Sequence, residues 1–148
     1  MIRRPSKCQH IQIETSRFLP PKGYYAITFF GKILIREHNA ENWKRNFETK
    51  SGKIMLNHEW IHVRQAVSTH NSWICFYIRY VFYYLKNRPL RNGQRFAYYT
   101  NPFEVEAYSF EADLSYTHDK PNGANGWRTF AAMPLNERKE IMEKINVL

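Results

Sequence analysis

Two histidines and a glutamate lie close together near the middle of the chain, in the sequence His58-Glu59-Trp60-Ile61-His62. On a helix, residues four apart lie about 40° apart around the axis and one turn apart along it, so both imidazoles can face one metal ion. Glu59 lies about 100° around the axis from His58, within reach of a water on that metal without being a ligand. This H-E-x-x-H spacing predicts the chemistry of a zinc hydrolase.

The residues around the motif favour a helix at this position. Residues 54–69 (IMLNHEWIHVRQAVST) have apolar residues at helical spacing and contain no proline or glycine. The alternative is a core helix with one buried and one exposed histidine, because H-E-x-x-H also arises by chance. The metal site is favoured because the residues that would lie behind the metal are uncharged: Leu56, Trp60, Ile61 and Val63.

A catalytic zinc ion takes three protein ligands and keeps one position open, so a third ligand must come from another element. The best source is residues 101–116 (NPFEVEAYSFEADLSY), which begin with Asn101-Pro102, an N-cap followed by proline at the first helical position. Glu104 and Glu106 point about 200° apart on such a helix, so they cannot both face the metal. The acidic residues of this segment are Glu104, Glu106, Glu111 and Asp113.

Through H-E-x-x-H and the downstream residues 104–108 (EVEAY), the chain resembles the gluzincins, the thermolysin-like zinc metallopeptidases, and within them the compact minimal gluzincins. The resemblance implies Zn²⁺ held by His58, His62 and Glu104, with Glu106 as a neighbouring carboxylate or alternative ligand. Where the family often has aspartate four residues after the glutamate ligand, this chain has Tyr108, whose hydroxyl would then orient a histidine. Gln65, three residues after His62, is a further candidate for hydrogen bonding within the site.

The activity implied by the resemblance is that of a zinc metallopeptidase, in which Glu59 activates a zinc-bound water for attack on a peptide or protein substrate. The alternative is a non-catalytic, zinc-stabilised domain that binds a peptide or a membrane surface. Glu59 argues against it, because a structural site has no use for a base. Residues able to stabilise the oxyanion in addition to zinc are Tyr98, Tyr99, Tyr108 and His118.

The composition limits the classes of partner that the protein is expected to bind. The chain has 148 residues and a net charge of +9, but its 22 Lys and Arg are scattered, with one dense run at residues 88–95. A solvated face, or weak association with an anionic membrane surface, is favoured over nucleic-acid binding, for which no motif is present. The N-terminus lacks the apolar core of a secretory signal, and residues 73–85 are too short and too charged to cross a membrane. We therefore expect a cytoplasmic protein with reduced cysteines.

The expected fold is α+β, a single zincin-like domain over residues 1–148. Residues 1–22, ending in Pro20-Pro21, are predicted as an extended lead-in, and residues 24–36 as a hairpin or a bulged edge strand. A loop or short helix over residues 37–52 comes next. Four helices are predicted at residues 54–69, 73–86, 101–116 and 135–147, with a break at Arg88-Pro89 and a turn at Asn92-Gly93.

Overall fold

The computed structural model of the chain describes residues 3–20, 26–88 and 93–148. Over these residues it contains a three-stranded sheet and seven α-helices, so the predicted α+β class is confirmed. Several expectations lie outside the described residues: Pro21, the first two residues of the 24–36 strand region, Pro89 as the helix stop, and Asn92 of the predicted turn.

The sheet has the strand order β1-β3-β2, with β1 at Gln12–Ser16, β2 at Ala26–Phe29 and β3 at Lys32–Arg36. Strands β2 and β3 form an antiparallel hairpin. Its two-residue turn, Phe30-Gly31, has positive φ at both positions, the geometry that matches the twist of a hairpin. The segment expected to be an extended lead-in contributes β1, which pairs in parallel with β3. This pairing makes β3 the central strand and gives hydrogen-bond partners to the backbone groups along its second edge.

The helices are α1 (Ala40–Glu48), α2 (Lys50–Ser68), α3 (Trp73–Lys86), α4 (Gly93–Tyr99), α5 (Pro102–Phe110), α6 (Trp127–Ala132) and α7 (Leu135–Lys144). The four predicted helices correspond to α2, α3, α5 and α7, and α1 is the short helix allowed for residues 37–52. Helices α4 and α6 were not predicted. Capping by side chains fixes three starts, since Thr49, Ser72 and Asn101 accept backbone N–H bonds at α2, α3 and α5.

Helix α5 ends at Phe110, six residues before the predicted end at residue 116. The side-chain amide of Asn57 on α2 donates to the carbonyl oxygens of Glu111 and Asp113, at 2.8 and 3.0 Å. The carboxylate of Asp113 also accepts from the backbone N–H of Ser115, a local turn that competes with helix. The chain therefore turns back over α2 immediately after Phe110.

Helices α1, α3 and α5 all pack against helix α2. Ala107 of α5 is fully buried with Ile61 of α2 in one core cluster, and the small side chain allows the two helices to approach closely. The loop before α6 rests on the other part of α2: Ala124 N–H donates to the carbonyl of Arg64 at 2.9 Å. A Cβ at Gly123, whose φ is +86°, would lie 2.2 Å from that same carbonyl oxygen, so only glycine fits. Over the described residues, no helix has both the length and the hydropathy to cross a membrane.

Candidate metal centre

The side chains of His58 and His62 on α2 meet that of Glu104 on α5. The two imidazole Nε2 atoms lie 3.2 Å apart. Glu104 Oε2 lies 3.3 Å from Nε2 of His58, and Glu104 Oε1 lies 3.5 Å from Nε2 of His62. The three side chains are 7, 12 and 3% exposed, respectively. The structure thus brings together the three residues that motif and resemblance had assigned as ligands.

The proton on His62 is placed by Gln65, which is fully buried. The Nε2 amide group of Gln65 donates to the carbonyl of Phe103 at 2.9 Å, and that carbonyl can only accept. The amide oxygen of Gln65 therefore faces Nδ1 of His62, 2.7 Å away. Because Nδ1 is the donor, Nε2 of the neutral ring presents a lone pair to the centre.

Glu111 places the proton of His58 on Nδ1 in the same way, because its carboxylate accepts a hydrogen bond from Nδ1 at 2.8 Å. This corrects the role expected for Tyr108, whose ring packs edge-on against His58 with centroids 4.4 Å apart. Glu111 lies seven residues, about two turns, after Glu104 and so on the same helix face. That spacing was the available signal, but the site prediction omitted Glu111.

Three electron-pair donors therefore converge on one point. Among the described residues, Glu104 Oε2 is buried without a hydrogen-bond partner, while Oε1 accepts from the Tyr80 hydroxyl at 2.5 Å. Burial opposes a charge on His58, yet the carboxylates of Glu104 and Glu111 outweigh it and raise the pKa of the imidazole to about 10. Burial also opposes the charge on Glu104, but His62 and His58 hold the pKa of that carboxyl well below its usual range. The surroundings favour a positive charge at the centre.

The spacing of the donors fits a zinc-sized cation. Bonds of about 2.0–2.1 Å at tetrahedral angles place two ligand atoms about 3.3–3.4 Å apart. The two imidazole nitrogens are 3.2 Å apart, and each has an oxygen of the Glu104 carboxylate at a similar distance, Oε2 at 3.3 Å from His58 and Oε1 at 3.5 Å from His62. Two imidazoles and one carboxylate form a donor set well suited to zinc, with a fourth position left for solvent or substrate.

A cavity of about 520 Å³ opens onto this cluster. Glu59, His62 and Glu104 form its polar wall, and strand β2 borders it through Ala26, Ile27 and Thr28. The remaining wall is mainly apolar and aromatic and includes Trp43, Met55, Val63, Trp73, Phe76 and Tyr77. The predicted general base therefore lies beside the cluster at a surface that a substrate can reach.

Of the four candidates for an oxyanion partner, Tyr98 lines the cavity. Burial, assisted by Glu104, raises the pKa of Tyr98, so its hydroxyl keeps its proton and can act as a donor. Tyr108 lies against His58, and the Tyr99 ring packs on Tyr108 at 5.5 Å. His118 is exposed and is not part of the cavity wall.

Glu106, the alternative ligand, faces away from the histidines and is fully buried. Its carboxylate accepts from Gln65, from the Tyr116 hydroxyl and from the backbone N–H groups of Gly126 and Trp127, at 2.8–3.0 Å. Glu106 therefore holds the start of α6 against α2 and α5. It reaches His62 only through Gln65.

Comparison of the chain with family models, with curated proteins and with solved structures gives no match in any of the three.

Proposed function

We propose that the protein is a zinc-dependent metallopeptidase in which His58, His62 and Glu104 hold the metal and Glu59 is the general base. The observation that carries the proposal is the convergence of three lone-pair donors at 3.2–3.5 Å beside an accessible cavity that Glu59 also lines. The gluzincin resemblance of the two motifs supports the same assignment.

Two residues orient the imidazoles of the proposed site. Gln65 and Glu111 hold the Nδ1 protons of His62 and His58, which keeps both Nε2 atoms directed at the centre. Zinc bound there would polarise the scissile carbonyl and lower the pKa of a water to about 7. Glu59 accepts a proton from the attacking water on its carboxylate and passes it to the leaving amine nitrogen. Tyr98 donates its hydroxyl hydrogen bond to the carbonyl oxygen as negative charge develops there.

The cavity suits an extended peptide with an apolar side chain. Among the described residues, strand β2 is an edge of the sheet, and the side that does not face β3 can pair with a substrate backbone by main-chain hydrogen bonds. The aromatic wall formed by Trp73, Phe76 and Tyr77 lies next to this edge. We therefore expect cleavage beside bulky apolar residues in preference to charged ones.

Two measurements test the proposal. Native mass spectrometry of protein supplied with zinc should show about one ion per chain. Glu59→Gln removes the base and no ligand, so it should keep the zinc while hydrolysis of a peptide library, followed by mass spectrometry, falls by at least about 100-fold. Glu48→Gln, an exposed carboxylate on α1, is the matched control and should cut like the wild type.

The outcomes separate the alternatives. Equal cleavage by the wild type and Glu59→Gln would show that another group, or a contaminant, does the chemistry. Zinc binding with no cleavage of any library peptide would favour the non-catalytic, zinc-stabilised domain. A chain that takes up no zinc would remove both.

A further inference from the structure

The outer face of α3 carries a continuous apolar stripe, defined as Ile74, Ile78, Val81, Phe82 and Leu85. These side chains are 50–64% exposed, although large aliphatic and aromatic groups are normally buried. Their spacing of four, three, one and three residues places them on one side of the helix. Trp73 and Phe76, on the opposite side, belong to the core. The helix is therefore apolar on two faces, and only one of them is packed.

The surroundings of the stripe are cationic. No aspartate or glutamate occurs between Glu59 and Glu104, a segment that includes all of α3. Arg79 and Lys86 lie on α3 itself, about 140° and about 120° around the helix axis from Ile74, respectively.

The N-terminal segment adds two more charges at the start of the stripe. Exposed Arg3 and Arg4 line a shallow depression together with Ile74, the first residue of the stripe. Hydrogen bonds in both directions between Ser6 and Asn71 fix this segment to the turn before α3. Positive charge is therefore built into the fold beside the apolar surface.

Aromatic residues border the stripe on its other side. Tyr84 is partly buried at its edge, where a ring with a polar hydroxyl can sit between water and an apolar phase. Phe29 stacks on Tyr77 at 5.3 Å and is 49% exposed, which extends the apolar surface onto β2.

We propose that the α3 stripe docks on the surface of an anionic lipid bilayer, with the helix lying in the plane of the interface. Charge complementarity selects this occupant. A second copy docked through the same stripe would bring like charges together around it, and nucleic acid offers no apolar phase for five aliphatic and aromatic side chains. Since α3 has 14 residues, it is about 21 Å long, shorter than the roughly 30 Å bilayer core, and it binds as a surface helix.

Flotation of the full-length protein with vesicles tests this. Binding to phosphatidylcholine–phosphatidylglycerol (1:1) vesicles should exceed binding to pure phosphatidylcholine and should weaken as salt rises from 0.05 to 0.5 M. Leu85→Ser should lower the affinity for the anionic vesicles by about tenfold. Leu114→Ser, on a side chain of similar exposure outside the stripe, should leave it unchanged.

The charge is tested separately. Arg3→Ala combined with Arg4→Ala should lower vesicle affinity by about 30-fold at low salt, because each surface cation contributes about fivefold. Lys53→Ala, an exposed cation on α2, is the control. Circular dichroism should show all variants folded, as the substituted side chains are exposed.

Four results would overturn the proposal. The first is equal binding to neutral and anionic vesicles, and the second is identical behaviour of Leu85→Ser and Leu114→Ser. The third is a wild-type dimer in sedimentation equilibrium that Leu85→Ser converts to monomer. The fourth is a 20-base-pair duplex bound more tightly than the vesicles. The inference rests on α3 and the N-terminal segment, and does not depend on the metal site.

Discussion

Replacing Glu106 by glutamine preserves the shape of the side chain and removes its negative charge. Oε1 accepts from the Tyr116 hydroxyl and the Gly126 N–H, both at 2.8 Å. Oε2 accepts from the Gln65 amide at 2.8 Å and from the Trp127 N–H at 3.0 Å. A glutamine offers one oxygen and one NH₂ group. At the Oε2 position the NH₂ would face two donors, whereas at the Oε1 position it would face one, the Gly126 N–H, because the Tyr116 hydroxyl can turn and accept.

The expected cost follows from the orientation that loses less, in which the Gly126 N–H is left without an acceptor. A hydrogen bond to a charged acceptor contributes about 1.5–3 kcal/mol, and a buried donor left unsatisfied costs about 1–3 kcal/mol. The neutral amide is cheaper to bury than a carboxylate, which places the net loss in the free energy of unfolding at about 2 kcal/mol. In a domain of this size that corresponds to a fall in Tm of about 4–8 °C.

Urea unfolding of the metal-free protein, followed by tryptophan fluorescence, measures this loss. Glu140→Gln, an exposed carboxylate on α7, is the control and should change the free energy of unfolding by less than about 0.5 kcal/mol.

Zinc affinity should separate the two glutamates of α5. Glu104→Gln should lose at least about 100-fold, whereas Glu106→Gln should lose less than about tenfold, since the Phe103 carbonyl still holds Gln65.

Either of two results would refute this reasoning. A Glu106→Gln protein within about 1 kcal/mol of the wild type would mean that the four donors contribute little in the folded state. A Glu106→Gln protein that loses more zinc affinity than Glu104→Gln would mean that the ligand had been assigned to the wrong face of α5.

Three further predictions concern the parts that position the histidines. Gln65→Leu should lower zinc affinity by about 10–100-fold in a chelator competition, because His62 loses the acceptor that fixes its Nδ1 proton. The pKa of His58 is raised to about 10, so zinc must displace a proton from this imidazole when it binds. The association constant for zinc should therefore rise at least about tenfold per pH unit from pH 6 to 8. An association constant that does not change with pH would contradict the release of this proton. Gly123→Ala should destabilise the protein by more than about 2 kcal/mol in urea unfolding, since φ is +86° and the new Cβ would overlap the Arg64 carbonyl.

The meeting of His58 and His62 could be predicted because it is local: four-residue spacing places both on one face of any helix. The hairpin of β2 and β3 is local in the same way, with two short apolar runs around a glycine turn. Glu104 was chosen over Glu106 through the resemblance to the gluzincins, and the structure brings it to the two histidines.

The features that sequence reasoning missed depend on contacts between distant residues. Residues 1–22 were expected to be an extended lead-in, yet residues 12–16 form strand β1 and pair with β3, whose residues lie 20 positions later in the chain. The end of α5 is set by Asn57, more than 50 residues earlier, and this end brings Glu111 to His58. Helix α6 has six residues and begins at groups bonded to Glu106. Nothing in the local sequence of these segments specifies their partners.

Helix α3 links the two proposals through its opposite faces. Tyr80 lines the cavity and donates to Glu104, while Ile78 and Phe82, two residues to either side, lie in the exposed stripe. Residues two apart on a helix point about 200° from one another, so the proposed metal site and the proposed lipid-facing surface are separated by the helix itself, about 10 Å thick. Docking through the stripe would therefore hold the cavity close to the lipid surface without covering it. The two sites use different side chains, and the failure of one proposal leaves the evidence for the other intact.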